Sequence, residues 1–171
     1  MKYTYCLLIV FINIVINPIL SQSVKQYGKL TVDNGLANMI TRGITQTSNK
    51  LIWFATYSGI QSFDGYSYKT YKVQDMDGYI YYDNRFISIV SIGNTVFAAT
   101  SSNVFMYNER LDTFNSIIPN NESHIKSLNI INDKLFIITN KGYYVYNIKG
   151  KISSFYEKHQ CTGIVNLNSA T

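Results

Sequence analysis

The chain is poor in the residues that build covalent frameworks and reaction centres. Its 171 residues include two cysteines, two histidines, two prolines and one tryptophan. Two cysteines cannot supply the cross-links of a small secreted scaffold, and two histidines leave little material for acid-base or metal chemistry. Charged residues make up 15% of the chain and form no basic run. We therefore expect no nucleic-acid partner, since the Lys residues are spread singly.

The residues that are abundant favour strands. The chain contains 15 Tyr and 9 Phe, and 46% of it is hydrophobic. Aromatic and branched side chains fit the pleated, half-buried face of a sheet. No long helical pattern is present, and the length suffices for one domain with a core. The expected fold class is all-β.

The amino-terminal residues have the build of a secretory signal peptide. A short cationic start precedes an apolar run from Cys6 to Leu20, which ends in small residues. We assign residues 1–23 to the signal peptide, with cleavage after Ser21 or Ser23. An uncleaved anchor is the alternative, although a bilayer span needs roughly 20 apolar residues. Because Cys6 lies at the front of the run, a lipoprotein is not expected.

Removal of the signal peptide changes the charge and the thiol content. Loss of Lys2 lowers the formal charge from +5 to +4. Cys161 remains as the single thiol, so the mature chain cannot form an internal disulfide. An exported protein of this kind depends on its sheet core, which suits a bacterial envelope. We expect an exported, periplasmic protein.

Three landmarks recur at intervals of about 40 residues, the length of a four-stranded propeller blade. An apolar strand that ends in or just before Thr recurs at 51–56, 95–100 and 135–139. An apolar pair and a closing aromatic residue follow each one, and Asn, Asp and Gly separate the strands as hairpin turns require. The sequence therefore predicts three four-stranded antiparallel blades, at about 38–72, 85–118 and 124–156.

Three blades do not close a ring, since propellers have typically 4 to 8. Residues 157–165 are predicted to open a fourth blade that stops at Thr171. We therefore interpret residues 24–171 as an incomplete β-propeller, the front piece of a longer protein. The segment 26–32 is predicted to be the strand that completes a last blade. The alternative is a short protein that closes its ring with a second copy.

The first repeat carries a motif that resembles a known family. Its elements follow the order Gly-Leu, Trp with a later Thr, Gly, Phe-Asp-Gly and a closing Tyr. They are Gly35, Leu36, Trp53, Thr56, Gly59, Phe63, Asp64, Gly65 and Tyr71. This pattern is similar to the two-component regulator propeller, the periplasmic sensor repeat of hybrid sensor histidine kinases in Bacteroidetes-type bacteria. Blades two and three depart from it, with Asn108 and Asn147 where the Gly of Asp-Gly is expected.

The resemblance implies a ligand-sensing segment of a two-component sensor, commonly for a breakdown product of a complex glycan. The family's kinase, phosphoacceptor and receiver modules are not in this chain, so we expect no enzymatic activity. The implied partners are a glycan-derived small ligand and missing blades or a second copy, with membrane contact only through the absent downstream part. The alternatives are a fragment of an exported propeller enzyme, a lyase or glycan-active hydrolase, and a small exported binding protein.

No catalytic, cofactor or metal site is predicted, and the sequence does not assign the ligand-binding residues. His124 and His159 fall on predicted inner strands, where each faces either the channel or a partner in the sheet. His159 and Cys161 lie two residues apart, but two ligands do not make a zinc site. The stretch 75–78 lacks the ligands of a calcium loop at both ends. Trp53 is expected in the core, and exposed aromatic platforms are sought among Tyr57, Tyr66, Tyr68, Tyr79, Tyr81 and Tyr82.

Overall fold

The computed structural model describes residues 28–71, 73–74, 84–118, 124–147 and 153–157. Within these ranges the chain forms thirteen strands and one short 3-10 turn, Val32–Asn34. The predicted signal peptide and the predicted fourth blade beyond Glu157 lie outside the described residues. So do His159 and Cys161, the stretch 75–78 and three of the tyrosine candidates, Tyr79, Tyr81 and Tyr82.

Three sheets follow one another along the chain, each an antiparallel meander. Blade one contains β1 (Thr41–Gln46), β2 (Ile52–Thr56), β3 (Gly59–Phe63) and β4 (Tyr68–Tyr71). A short strand β5 (Val73–Gln74) precedes blade two, which contains β6 (Ser88–Ile92), β7 (Thr95–Ala99), β8 (Val104–Asn108) and β9 (Thr113–Ser116). Blade three contains β10 (Ile125–Ile131), β11 (Lys134–Thr139), β12 (Gly142–Asn147) and β13 (Ser153–Glu157). The all-β, three-blade architecture predicted from the repeats is confirmed.

Blade two differs from the prediction by one added strand. Its sheet has five strands in the order β5-β9-β8-β7-β6, and β5 pairs with β9 in parallel. Val73 lies opposite Phe114 and is almost fully buried. The chain therefore leaves blade one along the outer edge of blade two before it reaches the inner strand β6. An edge strand of two residues gives no periodic pattern, so the sequence could not reveal it.

Tight turns between the first and second strands of each blade use left-handed backbone. The predicted turns place φ at +72° for Lys50, +58° for Gly93, and +49° and +59° for Asn132 and Asp133. In blade one the left-handed residue is thus Lys50 and not Asn49. The neighbouring Asn49 stabilises the turn with its side chain: its Oδ1 accepts hydrogen bonds from Thr47 Oγ1 at 2.5 Å and from the Leu51 N–H at 3.4 Å.

The inner strands β1, β6 and β10 lie side by side and join the blades. Thr45 Oγ1 lies 2.6 Å from Ser91 Oγ across the first junction. Ser88 Oγ accepts a hydrogen bond from the Leu128 N–H at 3.1 Å across the second. His124 lies one residue before β10 and is exposed, so its predicted place on an inner strand is wrong. Its backbone N–H donates to Asn140 Oδ1 at 2.8 Å.

The segment Thr31–Ala37 covers the face of blade one that points away from blade two. Leu36 is buried there, and the side chain of Gln61 accepts from the Ala37 N–H at 2.6 Å and donates to the Gly35 carbonyl at 3.1 Å. Of the strand predicted over 26–32, residues 28–31 pair with no strand of the three described blades, and Val32 departs from the prediction because it begins the 3-10 turn. The buried amide of Gln61 fixes this course because it needs partners from the covering backbone.

Candidate ligand-binding cleft

Four aromatic rings meet between blades one and two. Trp53 and Tyr71 come from blade one, and Tyr107 and Phe114 come from blade two. The ring centroids of Trp53 lie 4.8 Å from Tyr71, 4.9 Å from Tyr107 and 5.8 Å from Phe114. Trp53 is 1% exposed, and its indole N–H donates to Thr47 Oγ1 at 3.2 Å. The predicted core position of Trp53 is therefore confirmed, and the ring is not available as a binding platform.

Thr56 and Gly59 of the motif build the turn between the second and third strands. Thr56 is fully buried, its Oγ1 donates to the Gly59 carbonyl at 2.9 Å, and Gly59 has a φ of +128°. Thr139 makes the same bond to the Gly142 carbonyl at 3.0 Å in blade three. Blade two keeps the buried Thr100, which instead accepts from the Asn103 N–H at 3.1 Å. These motif residues thus serve the blade fold.

Phe63, Asp64 and Gly65 build the turn between the third and fourth strands. The Asp64 carboxylate accepts hydrogen bonds from the N–H groups of Tyr66 and Ser67, both at 2.8 Å. These two bonds, that of Ser67 first, hold the pKa of Asp64 below its ordinary value. Gly65 supplies a φ of +104°, which a side chain would disfavour. Asp64 is therefore a charged turn residue at the outer end of the blade.

A cleft of about 320 Å³ opens above the four rings, at the end of the blades where this turn lies. Its volume is within the range of small-molecule sites, which runs from about 300 to 1,000 Å³. Asp64 and Tyr71 of the motif and Ser67 of the turn line the cleft, together with residues that the sequence did not single out. The lining consists of Leu51, Ser62, Asp64, Ser67, Lys69, Tyr71, Tyr107 and Asp112. Most of these side chains carry a hydroxyl group or a charge.

A polar network bridges the two blades across the mouth of the cleft. Lys69 of β4 forms an ion pair with Asp112, which sits in the turn between β8 and β9. Tyr107 donates its hydroxyl to the other carboxylate oxygen of Asp112 at 2.9 Å. Below the pair, the Lys69 ammonium lies 5.3 Å from the centre of the Tyr71 ring, and Tyr71 shares a 2.9 Å hydrogen bond with Ser62. The two blades are thus joined by charge as well as by packing.

The network fixes the protonation states at neutral pH. The bond from Lys69, then that from Tyr107, lowers the pKa of Asp112, and the same Asp112 bond raises the pKa of Lys69. Burial, followed by the bond to Asp112, raises the pKa of Tyr107 far above its ordinary value. The cleft therefore presents two carboxylates, one ammonium and neutral hydroxyl groups.

This arrangement offers groups that bind polar molecules. No lining residue is His or Cys; Ser62 pairs with a neutral phenol, and Ser67 Oγ donates to the Asp64 carboxylate at 3.2 Å within its own turn. Over the part of the chain that the structure describes, no group of three His, Cys, Asp or Glu could hold a metal ion. Hydroxyl and charged groups above aromatic rings suit a small polar ligand.

The predicted tyrosine platforms behave differently from one another. Tyr66 is 96% exposed at the turn tip. Tyr57 accepts a hydrogen bond from Arg42 Nη2 at 2.6 Å, and the guanidinium carbon lies 5.1 Å from its ring centre. Tyr68 packs between Phe54 and Phe63, with centroid distances of 6.0 Å and 4.7 Å, and is not a platform. None of the three lines the cleft.

The comparisons with known proteins agree with this fold. The extracellular domain assigned to a hybrid two-component system of B. thetaiotaomicron matches with a TM-score of 0.58 and 23% identity, over 76% of this chain and 20% of its own. A second such domain from that organism matches with a TM-score of 0.53 and 23% identity, over 71% and 16%. This chain has the blade fold of the part of these extracellular domains that it matches. The resemblance predicted from the motif of blade one is thereby confirmed at the level of structure.

The same blades occur in proteins with other roles. PorZ, a surface component of the type-IX secretion system of Porphyromonas gingivalis, matches with a TM-score of 0.50 and 8% identity, over 70% of this chain and 16% of its own. No family model and no curated protein sequence matches the chain. The chain spans about a fifth or less of the length of these solved structures. Among the residues described, no helix is long and apolar enough to cross a bilayer.

Proposed function

We propose that the chain is part of the periplasmic ligand-sensing propeller of a two-component sensor and acts by binding, without catalysis. The observation that carries this proposal is the fold shared with the extracellular domains of such systems over 76% of the chain. The nine motif residues of blade one support it, because they build the turns and core of that blade. In this proposal the signal peptide exports the chain, and kinase and further blades belong to a longer protein.

The ligand that we propose for the cleft is a small polyhydroxylated molecule, with a glycan-derived sugar as the first candidate. Sugar hydroxyls can donate to the carboxylates of Asp64 and Asp112 and accept from the Lys69 ammonium. Such charge-assisted bonds are stronger than those between neutral groups. Because the lining comes from two blades, a bound ligand would hold blade one to blade two. That coupling offers a physical route from binding to a signal.

Binding of sugars to the purified chain tests the ligand. We expect at least one oligosaccharide from a panel of neutral and acidic glycans to raise the melting temperature and to give a calorimetric dissociation constant. Asp112→Ala should weaken binding by roughly tenfold or more, the effect of losing a charged hydrogen bond. Arg110→Ala is the matched control, since Arg110 is an exposed neighbour outside the cleft lining.

Two results would contradict these assignments separately. Equal binding by the Asp112→Ala variant would move the ligand to another site and leave the sensor proposal standing. Sensing itself is tested by reading the coding sequence beyond codon 171 and deleting the gene. An unrelated neighbouring gene, together with an unchanged transcriptional response to glycans, would refute the sensor proposal.

A further inference from the structure

The lining of the cleft between blades one and two has an excess of negative charge. Asp64 and Asp112 bring two carboxylates, and Lys69 brings one ammonium group. Hydrogen bonds hold the pKa of each carboxyl group below its ordinary value, so both groups are ionised at neutral pH. The turn that contains Asp112 adds Glu109 and Arg110, whose charges cancel. A ligand of the cleft therefore meets one net negative charge.

The charge of Asp64 is not needed by the turn that this residue builds. The carboxylate accepts from the N–H groups two and three residues later in the chain, both at 2.8 Å. The strand pairing places Asn108 of blade two at the same position. Asn108 Oδ1 also accepts from the N–H groups two and three residues later, at 3.1 Å and 3.2 Å. A neutral amide thus builds the same turn, and the negative charge of Asp64 is available to a ligand.

The ion pair of Lys69 and Asp112 is not needed by the blades either. Both side chains are about half exposed, and pairs of this kind contribute little to stability. At the junction between blades two and three, Met106 and Asn115 hold the places of Ser62 and Lys69, so that junction packs without a charge at these places. The polar groups of the first junction are therefore better explained by binding than by folding.

Both carboxylates keep acceptor sites for a ligand. An ionised carboxylate has about four such sites. Asp64 uses two on Oδ1 for the turn and one on Oδ2 for Ser67 Oγ, which donates at 3.2 Å. Asp112 uses one site on each oxygen, for the Tyr107 hydroxyl and the Lys69 ammonium. The sites that remain lie on negatively charged oxygens and suit a donor that carries a positive charge.

The side chain of Lys69 shows that this environment accommodates an ammonium group. Its Nζ pairs with one oxygen of Asp112 and lies 5.3 Å from the centre of the Tyr71 ring. The faces of aromatic rings attract cations, and the Tyr107 ring lines the same cleft. A ligand ammonium would find the same two kinds of partner, a carboxylate and an aromatic ring.

We propose that the cleft selects sugars that carry a free ammonium group, and that Asp64 recognises this group. The inference rests on the proposed binding function of the cleft and narrows its ligand from a polyhydroxylated molecule to an amino sugar. The sugar hydroxyls accept from Lys69, and the ligand ammonium adds a charge-assisted bond to the carboxylate. An acidic glycan instead meets the net negative charge of the lining and is disfavoured.

Two disaccharides that differ in charge test the selectivity. Calorimetry with the full chain compares the glucosamine disaccharide from chitosan with its N-acetylated counterpart from chitin, at low salt and about pH 6.5, where an amine is charged. We expect the free amine to bind roughly tenfold more tightly, the effect of one charged hydrogen bond. A disaccharide that carries a uronate should bind more weakly than either.

Asp64→Asn tests the residue that we assign. The variant should keep the turn, as Asn108 does, and lose the charge, so the preference for the free amine should fall from roughly tenfold to about twofold or less. Asp133→Asn is the matched control. It removes the same charge from an exposed turn of blade three outside the cleft lining, where Asn tolerates the φ of +59°. It should keep the tenfold preference, and circular dichroism checks that both variants are folded.

The outcomes separate this inference from the function on which it rests. Equal or tighter binding of the N-acetylated or the uronate disaccharide would overturn the ammonium preference and leave the cleft as a sugar site. A preference that persists in Asp64→Asn would overturn the role of Asp64. If none of the three disaccharides binds, the inference fails together with the proposed sugar ligand, and the sensor proposal still stands on its own genetic test.

Discussion

The two junctions between blades have similar backbones but different core side chains. Between blades one and two, the rings of Trp53, Tyr71, Tyr107 and Phe114 contact one another, with centroid distances of 4.8–5.8 Å. Between blades two and three the core is mainly aliphatic: Val104, Ile125, Leu128, Leu135 and Ile137 surround Phe97 and Tyr146. The first junction also carries the polar cleft on its outer end.

The difference shows why one junction can hold a ligand site. Tyrosine rings bring hydroxyl groups to the edge of a core, and those groups need partners when they are buried. Tyr107 and Tyr71 find them in Asp112 and Ser62, so charge and hydroxyl groups collect where the two blades meet. An aliphatic junction creates no such demand. The polar lining of the cleft thus follows from the aromatic side chains in the core below it.

The largest effect is expected from truncation of the aromatic junction at its centre. Trp53→Ala should lower the free energy of unfolding by about 4 kcal/mol, because it empties the space of a buried ring. It also leaves Thr47 Oγ1 without the indole donor. Urea denaturation followed by circular dichroism measures the change. A loss below about 1 kcal/mol would show that the four rings do not hold the blades together.

Phe97→Ala provides the matched test at the aliphatic junction. Phe97 holds the same strand position as Trp53 and is also fully buried. Because Trp53 is the only tryptophan, its fluorescence reports on the first junction alone. In the Phe97→Ala variant, blade three should unfold at a lower urea concentration than blades one and two, since neighbouring repeats stabilise one another pairwise. The circular-dichroism signal should therefore begin to fall at a lower urea concentration than the Trp53 fluorescence changes. Coincident transitions in that variant would indicate a single cooperative unit.

A smaller effect is expected at the inner strands, where the two junctions use different small residues. A Cβ on Gly43 would lie 3.0 Å from Ile89 Cγ2 and 3.2 Å from the Ile89 backbone nitrogen. Gly43→Ser should therefore destabilise by about 1–3 kcal/mol through overpacking. The control is Gly28→Ser, because a Cβ at Gly28 meets nothing within 4 Å and Gly28 has no left-handed φ. If the two variants lose equal stability, close approach is not the reason for Gly43.

Much of the fold could be predicted from the sequence, because the repeat has strong local signals. The recurring strands ending near Thr56, Thr100 and Thr139 and the Asn, Asp and Gly turns fix three meanders without any long-range information. The course of Gly28–Val32 could not be predicted, because a strand and a covering coil have similar composition there. Its path depends on the buried amide of Gln61, which is distant in sequence.

The cleft was harder to predict than the blades. Lys69 and Asp112 are 43 residues apart, and each looks like an ordinary exposed residue of a strand or turn. They meet only when two blades pack at a particular angle, which no local pattern specifies. Asp64 and Tyr71 were recognised as motif residues, but their motif role describes the blade and not the cleft. The repeat alignment puts Tyr107 at the Asp64 position, whereas the strand pairing of the structure puts it at the Phe63 position, so the alignment gave no sign of an extra hydroxyl in the cleft.

Alkaline pH should lower the stability of the fold through one buried tyrosine at each junction, by about 1 kcal/mol. The pKa of Tyr107 is raised by burial and by its bond to Asp112, and that of Tyr146 is raised by burial alone. A raised pKa means that the unfolded chain loses its proton first, so stability falls as pH rises above about 10. Tyr107→Phe should lose about 1 kcal/mol at neutral pH, the hydrogen bond, and show a weaker alkaline decline. Tyr146→Phe should keep its neutral stability, and a steeper decline in either variant would contradict this reasoning.

The smallest effect on folding is expected from the ion pair across the mouth of the cleft. The side chains of Lys69 and Asp112 are 55% and 46% exposed, and exposed pairs contribute little to stability because water and salt screen them. Lys69→Ala should therefore leave the urea midpoint almost unchanged, and 1 M salt should remove what difference there is, since the screening length is then about 3 Å. The same variant should weaken ligand binding, because it removes the ammonium group from the cleft. A large loss of stability at low salt that 1 M salt abolishes would mean that charge, and not ring packing, joins blade one to blade two.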